Sequence, residues 1–147
     1  MQTLEIWRDI KGYEGSYQVS NLGIIKSLDR EVQHTRGGLS RIKGRIIKQF
    51  ACSSGYLKVS LSSNGKLKNL MTHQLVACSF LNHTPCGYEL TVNHIDFDKI
   101  NNNVENLELV TQRENGNQKH IKSSSKYVGV DWNKRSEKWR EIGRAHV

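Results

Sequence analysis

The chain has 147 residues, a formal net charge of +8, 36% hydrophobic residues and 7% aromatic ones. That length accommodates one compact domain or two very small ones, and the low apolar content favours a modular, loop-rich build over one large core. Basic residues all along the chain suit a polyanionic partner, nucleic acid ahead of an anionic membrane surface. No apolar run approaches the roughly 18 residues of a membrane helix, and the N-terminus lacks a signal-peptide core, so an intracellular protein is expected rather than a membrane or secreted one.

In chain order, "YQVS" and "IIKSL" read as short strands parted by the turn residues Asn21, Leu22 and Gly23. "HTRGGLSR" (His34 to Arg41) reads as an exposed basic loop, followed by "RIIKQF" and "GYLKVSLSS" as strands. In the latter, Leu57, Val59 and Leu61 alternate with Lys58 and Ser60, the period of a half-buried strand. Asn64-Gly65 predicts a tight hairpin with "KLKNL" returning as the partner strand. "THQLVACSFL" (Thr72 to Leu81) then changes to a helical repeat, with Thr72 as N-cap. "ELTVNHI" and "NLELVT" read as two further strands around a polar run, and T-x-x-E at Thr111 and Glu114 predicts a helix starting near Gln112. From Ser123 to Lys126 the chain reads as a linker, and "KYVGVDWNKRSEKWR" reads as a strand, a charged turn and the start of a second strand. The expected class is α+β with antiparallel strands.

The cysteines Cys52, Cys78 and Cys86 are odd in number and have no C-x-x-C spacing, so they are expected to be ordinary reduced residues. A zinc site combining them with His73 or His83 fits the spacing poorly.

The run "TVNHIDFDKINNNVENLELVT" (Thr91 to Thr111) concentrates one histidine, two aspartates and five asparagines between apolar ends. If its two strands pair and the following helix packs across them, Asn93, His94 and Asn115 converge as two amide oxygens and an imidazole. Such a set suits phosphodiester hydrolysis: oxygen donors for a hard divalent ion such as Mg²⁺ or Mn²⁺, and an imidazole that takes a proton from water near neutral pH. Two blander readings compete: a polar hairpin turn, and a calcium loop at Asp96 and Asp98, which lacks the glycine and distal glutamate that motif requires.

The residues "H-x-D-x-x-x-x-N-N" from His94 to Asn102, "ENL" at Glu105 to Leu107 and "REN" at Arg113 to Asn115 resemble the HNH homing endonucleases of phages and introns. "HQLVACSFL" is similar to the helix before their catalytic motif. The resemblance implies a ββα-metal motif around one divalent ion, with His94 as general base, Asn93 and Asn115 as metal ligands, and Asn106 bracing the loop as part of the catalytic set. Many relatives carry aspartate where this chain has Asn93, and a neutral ligand pair holds a cation more weakly. "IWRDIKGYEGSYQVSNLGIIKS" (Ile6 to Ser27) resembles the nuclease-associated NUMOD-type motif, and "SKYVGVDWNKRSEKWR" the start of an ethylene-response-factor-type DNA-binding domain.

The expected division is a NUMOD-type module at 5–51, an HNH domain at 52–122 with its ββα motif at about 89–121, a partial DNA-binding domain at 123–140 and a non-native tail at 141–147. "EIGRAHV" back-translates as gagatcggaagagcacacgtc, which resembles a sequencing-library adapter; the hypothesis that the natural protein continues beyond Arg140 fails if genomic DNA encodes these residues followed by a stop.

The expected function is metal-dependent cleavage of double-stranded DNA by a monomer. Arg36, Arg41, Lys43, Arg45 and Arg113 are the candidate phosphate contacts, Trp7, Tyr13 and Tyr17 are read as core of the first module, His73 as structural or touching backbone phosphate, and Asp96 as fixing the loop, with direct ligation as its alternative. The competing functions are a DNA-binding or regulatory protein on an HNH-like scaffold that does not cut, and a protein-interaction module, which the net charge disfavours.

Overall fold

The computed structural model describes residues 2–87, 89–116, 130–133 and 138–141, the last two ranges as backbone only. The Ser123–Lys126 linker, most of the expected partial DNA-binding domain and the tail from Ile142 lie outside the described residues.

Strands β1 (Trp7–Asp9), β2 (Tyr17–Ser20) and β3 (Ile25–Ser27) form an antiparallel sheet in that order. The turn between β2 and β3 uses Gly23 at φ 82°, in the left-handed region where a side chain is disfavoured. A projecting hairpin follows, β4 (Arg30–Gln33) paired with β5 (Leu39–Ile42), and every residue of β5 is exposed. The predicted basic loop is therefore only the tip of this hairpin: Leu39 to Arg41 are paired with β4 because alternating backbone bonds, not burial, define the ribbon. "RIIKQF" is a second correction. Arg45 to Gln49 form no continuous strand; Ile46 makes one bridge to Lys26, and regular pairing resumes only at β6 (Phe50–Ala51).

β6, β7 (Leu57–Ser63) and β8 (Lys66–Met71) form a second antiparallel sheet. Asn64 at φ 50° and Gly65 at φ 73° make the two-residue turn expected between β7 and β8, whose twist matches that of the strands. Helix α1 (Thr72–Phe80) follows without a loop. Its N-cap is Met71, not Thr72: Thr72 lies inside the first turn and its hydroxyl donates to Gln49 Oε1 at 2.7 Å. A partner outside the helix thus takes the group that the sequence offered as a cap.

β9 (Thr91–His94) pairs antiparallel with β10 (Leu107–Val110), joined by a long loop containing a single 3-10 turn at Val104–Asn106. Helix α2 (Gln112–Gly116) begins where the capping box predicted: Glu114 N donates to Thr111 Oγ1 at 3.2 Å, and Thr111 N to Glu114 Oε2 at 2.8 Å. The bonds it accepts from the Thr111 backbone N–H and then from the Thr111 hydroxyl hold the Glu114 carboxyl below its usual range. Strands β11 (Val130–Asn133) and β12 (Lys138–Glu141) pair as a two-stranded antiparallel hairpin.

One hydrophobic core runs across the expected boundary between the first two modules. Ile10, just after β1, and Tyr17, Val19 and Ile25 of the first sheet pack with Val59 and Leu61 of β7, Leu75 and Val76 of α1 and Leu107 of β10. The Tyr17 hydroxyl strengthens this seam, accepting from Arg30 at 3.3 Å and from the Ser62 backbone at 3.2 Å. Neither three-stranded sheet has enough apolar surface to stand alone, so each buries its face against α1, and the separate small cores suggested by composition are merged. Tyr17 is in this core, Tyr13 packs against it, and Trp7 is half-buried with the Lys26 ammonium 4.0 Å from its ring centre.

Candidate active site

A cleft of about 450 Å³ opens beside the β9–β10 hairpin, lined by Tyr56, Val92, Asn93, His94, Phe97, Lys99 and Asn115. Three residues singled out from the sequence thus share one concave surface. Asn93 and His94 arrive on the last two positions of β9, and Asn115 on the helix that Thr111 caps. Pairing sets Glu108 opposite Asn93 and Leu107 opposite His94.

His94 is buried, and its Nε2 lies 2.9 Å from Asn102 Oδ1. An amide oxygen only accepts, so Nε2 carries the proton and Nδ1 of the neutral ring keeps its lone pair. Asn93 is also buried; its amide nitrogen donates to Glu108 Oε1 at 2.8 Å, which leaves its oxygen uncommitted to that bond. Asn115 is exposed.

Asn106 sits beneath the loop. Its oxygen accepts from Asp96 N at 3.0 Å, and its nitrogen donates to Asp96 Oδ1 at 2.8 Å and to the Asn101 carbonyl at 2.9 Å. Asp96 also accepts from Asn101 Nδ2 and from Asp98 N, both at 2.8 Å. The Asn101 amide, then the Asp98 N–H and the Asn106 amide, hold its carboxyl below the usual carboxylate range. Both Asp96 oxygens are engaged in closing the loop.

Behind His94, the rings of Tyr56 and His73 complete an aromatic cluster: His73 to His94 5.4 Å, Tyr56 to His73 4.9 Å, Tyr56 to His94 5.8 Å between centres. Burial, with a smaller contribution from His94, pushes His73 down to about 4, so it is neutral at working pH. Its Nδ1 is buried without a hydrogen-bond partner among the described residues.

The HNH endonuclease family model matches residues 70–117, and that of the NUMOD4 motif residues 5–62. DNA endonuclease I-HmuI of Bacillus phage SP01 is 40% identical over 111 residues, spanning 74% of this chain and 54% of the relative. The chain carries a NUMOD4 motif and an HNH endonuclease domain and is similar to HNH homing endonucleases. The uncharacterized HNH endonuclease L245 of Acanthamoeba polyphaga mimivirus is 39% identical over 91 residues, 62% of this chain and 27% of that protein. A solved structure described as DNA binding and cleavage by the HNH homing endonuclease I-HmuI superposes with a TM-score of 0.58 at 37% identity, covering 75% of this chain and 55% of the other. The chain therefore spans about half or less of the length of these relatives.

Within this HNH fold, four residues of the site were not singled out from sequence: Asn102, Glu108, Tyr56 and Lys99. Asn102 is one of three consecutive asparagines, and nothing in the sequence separates it from its neighbours. Glu108 could have been found from strand pairing, since it opposes Asn93. Lys99 donates to the Ser54 carbonyl at 3.0 Å and lies 4.9 Å from the Tyr56 ring centre, contacts between segments 45 residues apart. Arg36, Arg41, Lys43, Arg45 and Arg113 are all exposed and none lines the cleft; the first two belong to the β4–β5 hairpin and the next two follow it.

Proposed function

We propose that the chain is a DNA endonuclease that hydrolyses phosphodiester bonds in duplex DNA, acting as a monomer in the cell that holds its target. The observation that carries this reading is the convergence of Asn93, His94 and Asn115 on one cleft, with His94 Nε2 tied to Asn102 and Nδ1 left to accept a proton.

The donor set fits one hard divalent ion, Mg²⁺ or Mn²⁺. Asn93 and Asn115 offer neutral amide oxygens at the edge of an open cleft, and among the described residues there is no cluster of three His, Cys, Asp or Glu side chains of the kind that builds a closed zinc site. When bound there, the ion supplies charge stabilisation for the scissile phosphate and the leaving oxygen. The protein's own residues do the rest. Glu108 fixes the Asn93 amide and adds negative charge beside two neutral donors. Asn102 holds the imidazole, and His94 takes the proton of the attacking water through Nδ1. Asn106 and Asp96 brace the loop that carries Asn101 and Asn102. Lys99, at the cleft wall, presents a cation to phosphate.

Arg36 and Arg41 on the projecting hairpin, with Lys43, Arg45 and Arg113, supply backbone contacts to the duplex. In this reading the 5–51 segment is the NUMOD-type module, 52–122 the nuclease domain, and the β11–β12 hairpin the beginning of an ethylene-response-factor-like DNA-binding element.

The second reading, a DNA-binding protein that no longer cuts, is favoured by one observation: Asn93 is neutral and already bonded to Glu108. Supercoiled plasmid incubated with Mg²⁺, with Mn²⁺ and with chelator, against His94→Ala, separates the two. Metal-dependent nicking that disappears in the variant supports the nuclease; a gel shift with no cutting in either metal supports the second reading.

A further inference from the structure

We infer that the N-terminal Asn21-Leu22-Gly23 turn is a working part of the catalytic centre: it seats Asn102, and through Asn102 it sets the orientation of His94. The inference rests on the proposed role of His94 as general base.

Two contacts join the turn to the loop, and a third props it from behind. The Asn21 carbonyl accepts from Val104 N at 2.8 Å. Gly23 lies directly on Asn102: a Cβ on Gly23 would come to 2.7 Å from Asn102 Cβ and 2.9 Å from the Asn102 carbonyl oxygen. Gly23 is in turn propped from behind, because Gln49 Nε2 donates to its carbonyl at 2.8 Å while Thr72 Oγ1 donates to Gln49 Oε1 at 2.7 Å. The turn is thus clamped between helix α1 and the loop after β9.

Asn102 is almost fully buried, at 3% exposure, and its amide nitrogen has no partner among the described residues. Hydrogen bonding other than to His94 therefore does not fix this amide; the seating of the residue that carries it does, and the Cβ and backbone carbonyl of Asn102 rest on Gly23. Asn102 is a positioning residue, and Gly23 acts one step behind it. A glycine of the NUMOD-type segment is thus required by the geometry of the nuclease site: an alanine at 23 displaces the residue whose oxygen holds His94 Nε2–H.

The test compares Gly23→Ala with Gly12→Ala. Gly12 has nearly the same backbone, φ 85° against 82°, but nothing within 4 Å of its would-be Cβ, so it carries the strain without the collision. In ¹⁵N-labelled protein without metal or DNA, the His94 Nε2–H signal should exchange slowly in the wild type and in Gly12→Ala, and be lost in Gly23→Ala and Asn102→Ala. Plasmid nicking, normalised to folded protein, should fall about 10- to 100-fold in Gly23→Ala, as for other loosened supporting residues. Gln49→Ala removes the prop without adding an atom and should speed the same exchange; it decides the matter if Gly23→Ala does not fold. An unchanged His94 signal in Gly23→Ala, or in Gln49→Ala where that variant decides, overturns the inference, as does equal loss in Gly12→Ala. Wild-type protein that shows the signal pattern but never nicks DNA would instead overturn the nuclease reading and leave the coupling standing.

Discussion

Glu108 Oε1 accepts a hydrogen bond from the Asn93 amide at 2.8 Å, across directly opposed positions of β10 and β9. This pair places a carboxylate next to a neutral candidate ligand and orients that ligand's amide. Glu108→Gln, which keeps an acceptor for the Asn93 amide, should therefore weaken Mn²⁺ binding about tenfold by removing the charge. Asn93→Asp in the Glu108→Gln background should strengthen it, since a carboxylate oxygen suits a hard cation better than an amide oxygen. Titration calorimetry with Mn²⁺ checks both, and equal affinities for wild type and Glu108→Gln would remove Glu108 from the site.

His94→Ala should lower nicking by about 10²- to 10⁴-fold, the range of general-base catalysis, while leaving the gel shift with duplex DNA unchanged. Parallel loss of binding would mean that His94 supports structure rather than proton transfer.

His73 gives the chain an acid limit. Its pKa is about 4 in the folded protein against an ordinary 6.5, because burial disfavours the cation. Between those values the unfolded chain binds the proton and the folded one does not, so stability falls as pH drops from 6.5 towards 4, by up to about 3 kcal/mol. His73→Phe keeps a ring against Tyr56 and removes the titration. Urea unfolding at pH 7 and pH 4.5 should show a smaller loss for the variant than for the wild type.

The shared core predicts joint unfolding. Leu61→Ala deletes a fully buried side chain of β7 between the two sheets and should destabilise by about 2–5 kcal/mol. Tryptophan fluorescence, which includes Trp7 of the first sheet, should shift by the same amount as far-ultraviolet dichroism. Two separate transitions would show that the sheets fold independently.

Basic side chains on the hairpin should act through phosphate. Arg36→Ala with Arg41→Ala should weaken DNA binding similarly for unrelated sequences and flatten its salt dependence by about two charges' worth. Loss confined to one sequence would point to base contacts instead.

Local signals were readable where one short stretch determines its own geometry. Asn64-Gly65 specified a two-residue turn because both positions tolerate positive φ, and Thr111 with Glu114 specified a helix start because the two side chains satisfy each other's backbone groups. The same reasoning failed at Thr72, whose hydroxyl found Gln49, 23 residues away, and at Arg45 to Gln49, where strand-like residues met no continuous partner.

By itself the sequence determined the polar hairpin, the flanking helix, and the residue types that meet in the cleft, since strand pairing and a capping box follow from spacing. Only the tertiary structure decided which of three consecutive asparagines holds His94, that Glu108 holds Asn93, and that the two sheets share a core. Those outcomes depend on contacts between segments far apart in the chain: Gly23 against Asn102, Tyr17 against Ser62, Lys99 against Ser54. No local propensity encodes such contacts, because they arise only when buried surfaces compete for the same space.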